Sequence, residues 1–200
     1  ISDALLVAAG RTPNTDILDV KKGDVDIDEK GFIKTNDYLE TTAKNTWALG
    51  DIAGKYLFKH SANLEAQYVY NNAVLKQKIK VDYTAMPHAI FSSPQIAGVG
   101  LREQDLKQKK IDYAVGRYNY IDSGMGIALQ DKDGFVKIFA DKKTKKILGC
   151  HIIGTDASTL IHEVIVAMKA GLKVDALSDA VHVHPALSEV VQRAVRDIEW

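Results

Sequence analysis

Toward the end of the chain, the segment HVHPALSEVVQRA sets His184 against Pro185, with Glu189 five positions on and His182 two positions before. Histidine can take a proton and return it near neutrality, and a carboxylate bonded to its other ring nitrogen sets the tautomer and stabilises the imidazolium. His184 and Glu189 are therefore candidates for an acid–base pair. From these residues alone the plainer reading is favoured: His184 caps a helix and Glu189 complements its dipole. His182 shares a face with His184 if the approach is extended, which would suit a two-histidine metal site. No third or fourth ligand stands nearby in sequence, so no metal is expected.

A second candidate lies in TWALGDIAG, residues 46–54. A short strand would deliver Gly50 and then Asp51 to its end, where glycine permits close backbone approach and the carboxylate can bind a sugar hydroxyl. Asp51 standing by itself also suits an ordinary turn. Cys150 is the only cysteine and sits in the apolar run ILGCHIIG. It reads as a buried structural thiol, and it excludes an internal disulfide or a cysteine-based zinc cluster. His88, His151 and His162 have no patterned partner and read as structural.

These residues need elements to hold them. Leu187, Val190, Val191, Ala194, Val195 and Ile198 recur at helical spacing, and Pro185 suits the first turn of that helix. Residues 4–9 read as a short buried strand ending in Gly10 and the turn RTPN. VDIDEKGFIKT reads as a hairpin about Lys30-Gly31, TWALG as a strand, and residues 61–78 as a helix with Leu64, Tyr68 and Leu75 inward. After Met86-Pro87 the rhythm changes. HAIF, IAGVG and DYAVGRYNY read as strands and REQDLKQKK as a polar helix. GFVKIFA and KILGCHIIG form an antiparallel pair about the tip DKKTKK. A helix with Leu160, Ile161, Val164, Ile165 and Met168 follows, capped by Asp156 and stopped by Gly171. From residue 86 onward this predicts an α+β unit.

Composition bounds the function. Lys+Arg and Asp+Glu both number 26 in 200 residues, so no net charge gathers nucleic acid or an anionic membrane. An apolar fraction of 46% suffices for a core. No apolar stretch has the length of a membrane span, and the absence of a basic leader points to the cytoplasm. The chain opens at Ile1 inside a strand-like run, which reads as a cut edge and hence a fragment.

GRTPN, then ALGD some forty positions later, then HPALSE near the terminus, resemble in order the flavoprotein disulfide reductases, the pyridine nucleotide-dependent oxidoreductases. The dihydrolipoamide dehydrogenase branch is the most similar, and the resemblance spans essentially all 200 residues. It implies an α+β interface (dimerisation) domain over 86–200, preceded by C-terminal pieces of the α/β nucleotide-binding domains: 1–10 ends the nicotinamide-binding domain and 11–85 belongs to the FAD-binding domain. It implies FAD and NAD(P) as cofactors, with Asp51 holding the ribityl chain, Gly50 beside it, and Ala9 and Gly10 near the cofactor path. Phe58, Lys59 and His60 would open a helix whose positive end faces the flavin pyrimidine ring; His60 is open to reading as a plain cap. His184 and Glu189 would be the base and its orienting acid, offered to the disulfide of the other protomer in a homodimer that acts on a small dithiol or disulfide. A dithiol attacks only as a thiolate, which is why a base is needed. Gln95 stands where the family often has glutamate. The glycine-rich FAD motif, the redox cysteine pair and most of the nicotinamide domain lie outside these residues, so the chain alone is expected to be inactive. HPALSE is closer to the dihydrolipoamide dehydrogenase pattern than to glutathione reductase, while KYLFKHSANLEA and PALSEVV are also similar to mycothione reductase. The ending RDIEW lacks the thiol pair of mercuric and large thioredoxin reductases. The alternative from another class is a non-catalytic dimerisation module.

Overall fold

The computed structural model describes residues 2–200. It divides into two compact units, one ending at Asp82 and one spanning Tyr83–Trp200.

The first unit is held mostly by turns. An antiparallel bridge joins Ile27 to Ile33 and another joins Glu40 to Trp47. Helix α1, Lys59–Val69, runs on into a wider turn, Tyr70–Val74. The hairpin expected about Lys30-Gly31 is present at the scale of a single bridge, with Asp28 N–H donating to Phe32 O at 2.8 Å. The expected strand at TWALG is likewise one bridge, running into a 3-10 turn, Gly50–Ala53. No strand forms over residues 4–9, and Leu5, Leu6 and Val7 are exposed. A strand exists only where a neighbour takes its N–H and C=O groups, and no neighbour is present here.

Helix α1 also differs from expectation in what it buries. Its inner positions are Ser61 and Glu65, followed by Asn72 in the wider turn, whereas Leu75 is exposed. The buried polar groups are bonded, as burial requires. The Asn72 amide donates to Tyr38 O at 3.2 Å and Ile79 O at 2.8 Å and accepts from Ile79 N–H at 2.6 Å, tying two loops to the helix.

The second unit is a five-stranded antiparallel sheet. Its strands are β1 Pro87–Ile90, β2 Gln95–Gly100, β3 Tyr113–Asn119, β4 Phe135–Asp141 and β5 Ile147–Gly154, in spatial order β1-β2-β5-β4-β3. Two-residue alternation gives one apolar face: Ala97 and Val99, Val136 and Ile138, Cys150 and Ile152 are all buried. Ala140 continues this face past a register shift at Phe139/Ala140, while Phe139 is buried on the opposite side, edge-on to Tyr113. The helices are α2 Glu103–Gln108, α3 Gly124–Leu129, α4 Ala157–Lys169, α5 Asp175–Asp179 and α6 Glu189–Arg196. Helix α4 sets Ala157, Ile161, Val164 and Ala167 into the core, and α6 adds Val190, Val191, Ala194 and Val195. A side chain at Gly116 of β3 would collide with the Ala194 carbonyl, so glycine lets the backbone of α6 lie directly on the sheet.

Three local expectations are corrected. Asp156 precedes α4, but with φ of 56° its side chain makes no cap; its carbonyl accepts instead, from Thr159 N–H at 2.9 Å and Leu160 N–H at 3.0 Å. Pro185 lies outside the last helix, which opens at Glu189, and the His184–Pro185 peptide is cis. The residues between form tight turns of their own, Glu189 N–H to Ala186 O and Val190 N–H to Leu187 O. His88 and His151 do have a partner, each other: their rings stand 6.2 Å apart above Gly98, and His151 Nε2 bonds Leu101 O at 3.1 Å.

Candidate functional site: an acid–base pair and a flavin-side loop

In the second unit, α5 ends at Asp179 and an extended stretch leads to His184. His184 Nδ1 lies 3.1 and 3.0 Å from the two carboxylate oxygens of Glu189, the first residue of α6. A carboxylate only accepts, so Nδ1 carries a proton, and in the neutral ring Nε2 is the nitrogen with the lone pair. The ring is 72% exposed, while the Glu189 side chain is 13% exposed. Glu189 is itself held in place, because its Oε2 accepts the Ala186 N–H at 3.1 Å. Burial pushes the Glu189 carboxyl up, but the Ala186 N–H, His184 and Arg193 together outweigh it and hold the group below its usual range. The result is an anchored anion beside an accessible imidazole whose Nε2 is not the nitrogen bound to the carboxylate, an arrangement suited to taking a proton from a thiol or returning it.

His182 does not join His184 in a metal site. Its Nδ1 bonds Ala180 O and its Nε2 bonds Glu163 Oε2, each at 3.0 Å. No group of three or more metal-ligating side chains occurs among the described residues. Cys150 is fully buried, and burial pushes its thiol well above the usual range, so it is no nucleophile.

The first unit brings Gly50, Asp51 and the start of α1 together. Gly50, at φ of 74°, is buried and donates its N–H at 2.5 Å to Glu65, a fully buried carboxylate on α1. Asp51 comes next, its carboxylate half-exposed and paired with Arg11. A cavity of about 420 Å³ lies beside it, lined by Arg11, Pro13, Asn14, Phe32, Asp51 and Leu57 among others. Phe58 precedes α1, and its ring stacks on His60 at 5.0 Å; the Lys59 ammonium bonds Asn63. The start of α1 carries no side-chain cap and no acidic residue in its first turn. Its N–H groups thus present partial positive charge that no side chain of the helix neutralises. The donor set fits a flavin: a carboxylate for a hydroxyl-bearing chain, a cavity beside it, and a helix end suited to negative charge. Ala9 and Gly10 are exposed, and neither is among the residues that line this cavity.

Two residues of this loop escaped the sequence reading. Arg11 was visible within GRTPN, yet its partner stands forty positions away. Glu65 was signalled by the polar stripe Ser61, Glu65 and Asn72 on what was expected to be an apolar face.

Comparison with known proteins follows the same lines. Residues 86–195 match the family described as pyridine nucleotide-disulphide oxidoreductase, dimerisation domain, and residues 1–89 match pyridine nucleotide-disulphide oxidoreductase. Mycothione reductase of Mycobacterium tuberculosis is 39% identical over 200 residues, covering 97% of this chain and 43% of that protein. Dihydrolipoyl dehydrogenase of Cupriavidus necator is 36% identical over 197 residues, covering 98% and 41%. Among solved structures, the HOCl-induced flavoprotein disulfide reductase RclA from Escherichia coli superposes with a TM-score of 0.90 at 28% identity, covering 97% of this chain and 45% of that one. The chain therefore spans less than half the length of the curated relatives it matches.

Proposed function

The chain belongs to the pyridine nucleotide-disulphide oxidoreductase family, and from that premise we propose that it supplies the acid–base pair, part of the flavin site and the dimerisation surface of an FAD- and NAD(P)H-dependent disulfide oxidoreductase. The observation that carries this reading is the His184–Glu189 pair, an exposed imidazole whose Nδ1 proton is held by an anchored carboxylate. Residues 1–10 end a nicotinamide-binding domain, 11–85 belong to the flavin-binding domain, and 86–200 form the interface domain of a cytoplasmic homodimer. No helix among the described residues is long and apolar enough to cross a membrane.

FAD, when bound, passes electrons between the nicotinamide and an enzyme disulfide. Asp51 would accept a hydroxyl of its ribityl chain, Gly50 would let the backbone approach, and the start of α1 with Phe58, Lys59 and His60 would favour negative charge on the pyrimidine side. His184 Nε2 removes a proton from a substrate thiol, making the thiolate that attacks the disulfide of the other protomer. Glu189 holds the tautomer and stabilises the imidazolium until the proton is returned. The substrate in this reading is a small dithiol of the dihydrolipoamide type. Mycothiol disulfide is the second reading, favoured by the 39% identity to mycothione reductase.

The test is His184→Ala in the full-length enzyme that contains this chain, with each half-reaction followed by flavin absorbance. Reduction by NADH or NADPH should stay within about twofold of wild type, and reduction by dihydrolipoamide should slow about 10²- to 10⁴-fold, the usual loss of a general base. Equal loss in both half-reactions refutes the role.

A further inference from the structure

The segment that delivers His184 has no apolar anchor of its own: Val181 is 99% exposed and Val183 74%, and only the His182 side chain between them turns inward, at 8% exposed. Polar bonds hold it instead. Gln192 of α6 is buried and donates to Ser178 O at 3.2 Å and Ala180 O at 2.7 Å, and Arg196 donates to Ser178 O at 2.9 Å. These bonds fix the start of the segment but stop at Ala180.

The next tie is His182. A carbonyl only accepts, so His182 Nδ1 donates to Ala180 O, and His182 Nε2 meets Glu163 Oε2 of α4 at 3.0 Å. With Nδ1 committed as donor, the second contact needs one further proton, carried as imidazolium against carboxylate or as neutral imidazole against carboxylic acid. Glu163 lies 19 residues upstream, on the helix packed against β2 and β5. Burial pushes its carboxyl above the usual range, against the pull of His182.

We infer that His182 and Glu163 form a one-proton clamp that ties the 180–184 segment to α4 and so positions His184 for proton transfer. The inference rests on the role proposed above for His184. His182 and Glu163 are positioning residues: they act through the place they give the imidazole two residues on. A misplacement of about 1 Å at a reacting group can cost roughly 10²-fold in rate, so a clamp outside the pair itself has kinetic weight.

The test uses the full-length enzyme, with dihydrolipoamide as the dithiol probe and NADH or NADPH as the other reductant. Glu163→Ala removes the partner, and His182→Asn keeps a donor near Ala180 O while losing reach to Glu163. Each should lower kcat with dihydrolipoamide about 10- to 100-fold, leave KM within about twofold, and spare nicotinamide reduction of the flavin. Glu163→Gln, whose amide can donate to a neutral His182 Nε2, should recover most of the loss. If Glu163→Ala does not fold, His182→Asn against Glu163→Gln decides by the same criteria. Dithiol turnover within twofold of wild type in His182→Asn, or Glu163→Gln as slow as His182→Asn, overturns the clamp. If His184→Ala is slow in that series while the clamp variants are not, the function proposed above stands and only the clamp falls. If His184→Ala is itself unimpaired, that function falls, and the clamp with it.

Discussion

Glu189→Gln isolates what the carboxylate contributes, because glutamine keeps an acceptor for the Ala186 N–H and a side chain of the same length while removing the charge. The magnitude follows from the geometry. The carboxylate oxygens lie 3.0 and 3.1 Å from His184 Nδ1. Unit charges roughly 4 Å apart interact by about 1 kcal/mol in water and about 4 kcal/mol at an effective dielectric near 20. Glu189 is 13% exposed but His184 72%, so solvent screens much of this attraction. About 1.5–3 kcal/mol of imidazolium stabilisation is left, in keeping with hydrogen bonds to charged groups. At roughly 1.4 kcal/mol per factor of ten, the dithiol half-reaction should slow about 10- to 100-fold. Glu189 is also the first residue of α6, where its charge contributes only about 0.3–1 kcal/mol to stability. Activity should therefore fall far more than the unfolding midpoint. Stopped-flow reduction of the flavin by dihydrolipoamide and by NADH or NADPH, with a denaturation curve on the same protein, separates these effects. A dithiol rate within twofold of wild type would show that the carboxylate contributes nothing to proton transfer.

Asp51→Ala in the full-length enzyme should weaken flavin retention about 10- to 100-fold, the loss of one charge-assisted hydrogen bond, measured by fluorescence of flavin released on dilution; unchanged retention would remove Asp51 from the site. Glu103 provides a pH signature. The Lys137 ammonium, helped by Lys107, holds its carboxyl far below its ordinary 4.5, at about 2. A depressed carboxyl stabilises the fold fully above its ordinary range and loses that contribution as pH falls through 4.5 toward 2. Glu103→Gln should therefore narrow the difference between urea midpoints at about pH 6 and about pH 3, and a difference as large as wild type would refute the assignment.

Much of the second unit was legible because its signals are local. The alternation in GFVKIFA and KILGCHIIG, with lysines between, predicts β4 and β5 as found. The spacing of Ile161 and Val164 marks the inner face of α4. The first unit was less legible. ALLVAAG is as apolar as a buried strand, yet a strand is a property of a pair, and residues 4–9 have no partner here. Residues 61–78 read as amphipathic through Leu64, Tyr68 and Leu75, but the face that packs carries Ser61, Glu65 and Asn72, because backbone donors such as Gly50 N–H meet it there. The short helices α3 and α5 went unseen, being too brief for any period to register.

The candidate site divides in the same way. That the Glu189 side chain could fold back toward His184 was legible in the sequence, because helical side chains lean toward the helix N-terminus; that the two do meet, rather than serve as a cap and a dipole complement, is seen only in the folded chain. Which imidazole stands in solvent and which is bonded inward was decided only by the folded chain. His182 and His184 are alike in type and two positions apart, but α4 places Glu163 against one and leaves the other open. Arg11 likewise finds Asp51 across forty positions. Periodicity records how a residue sits on its own element; contacts between elements depend on how those elements pack, and no spacing along the chain encodes them.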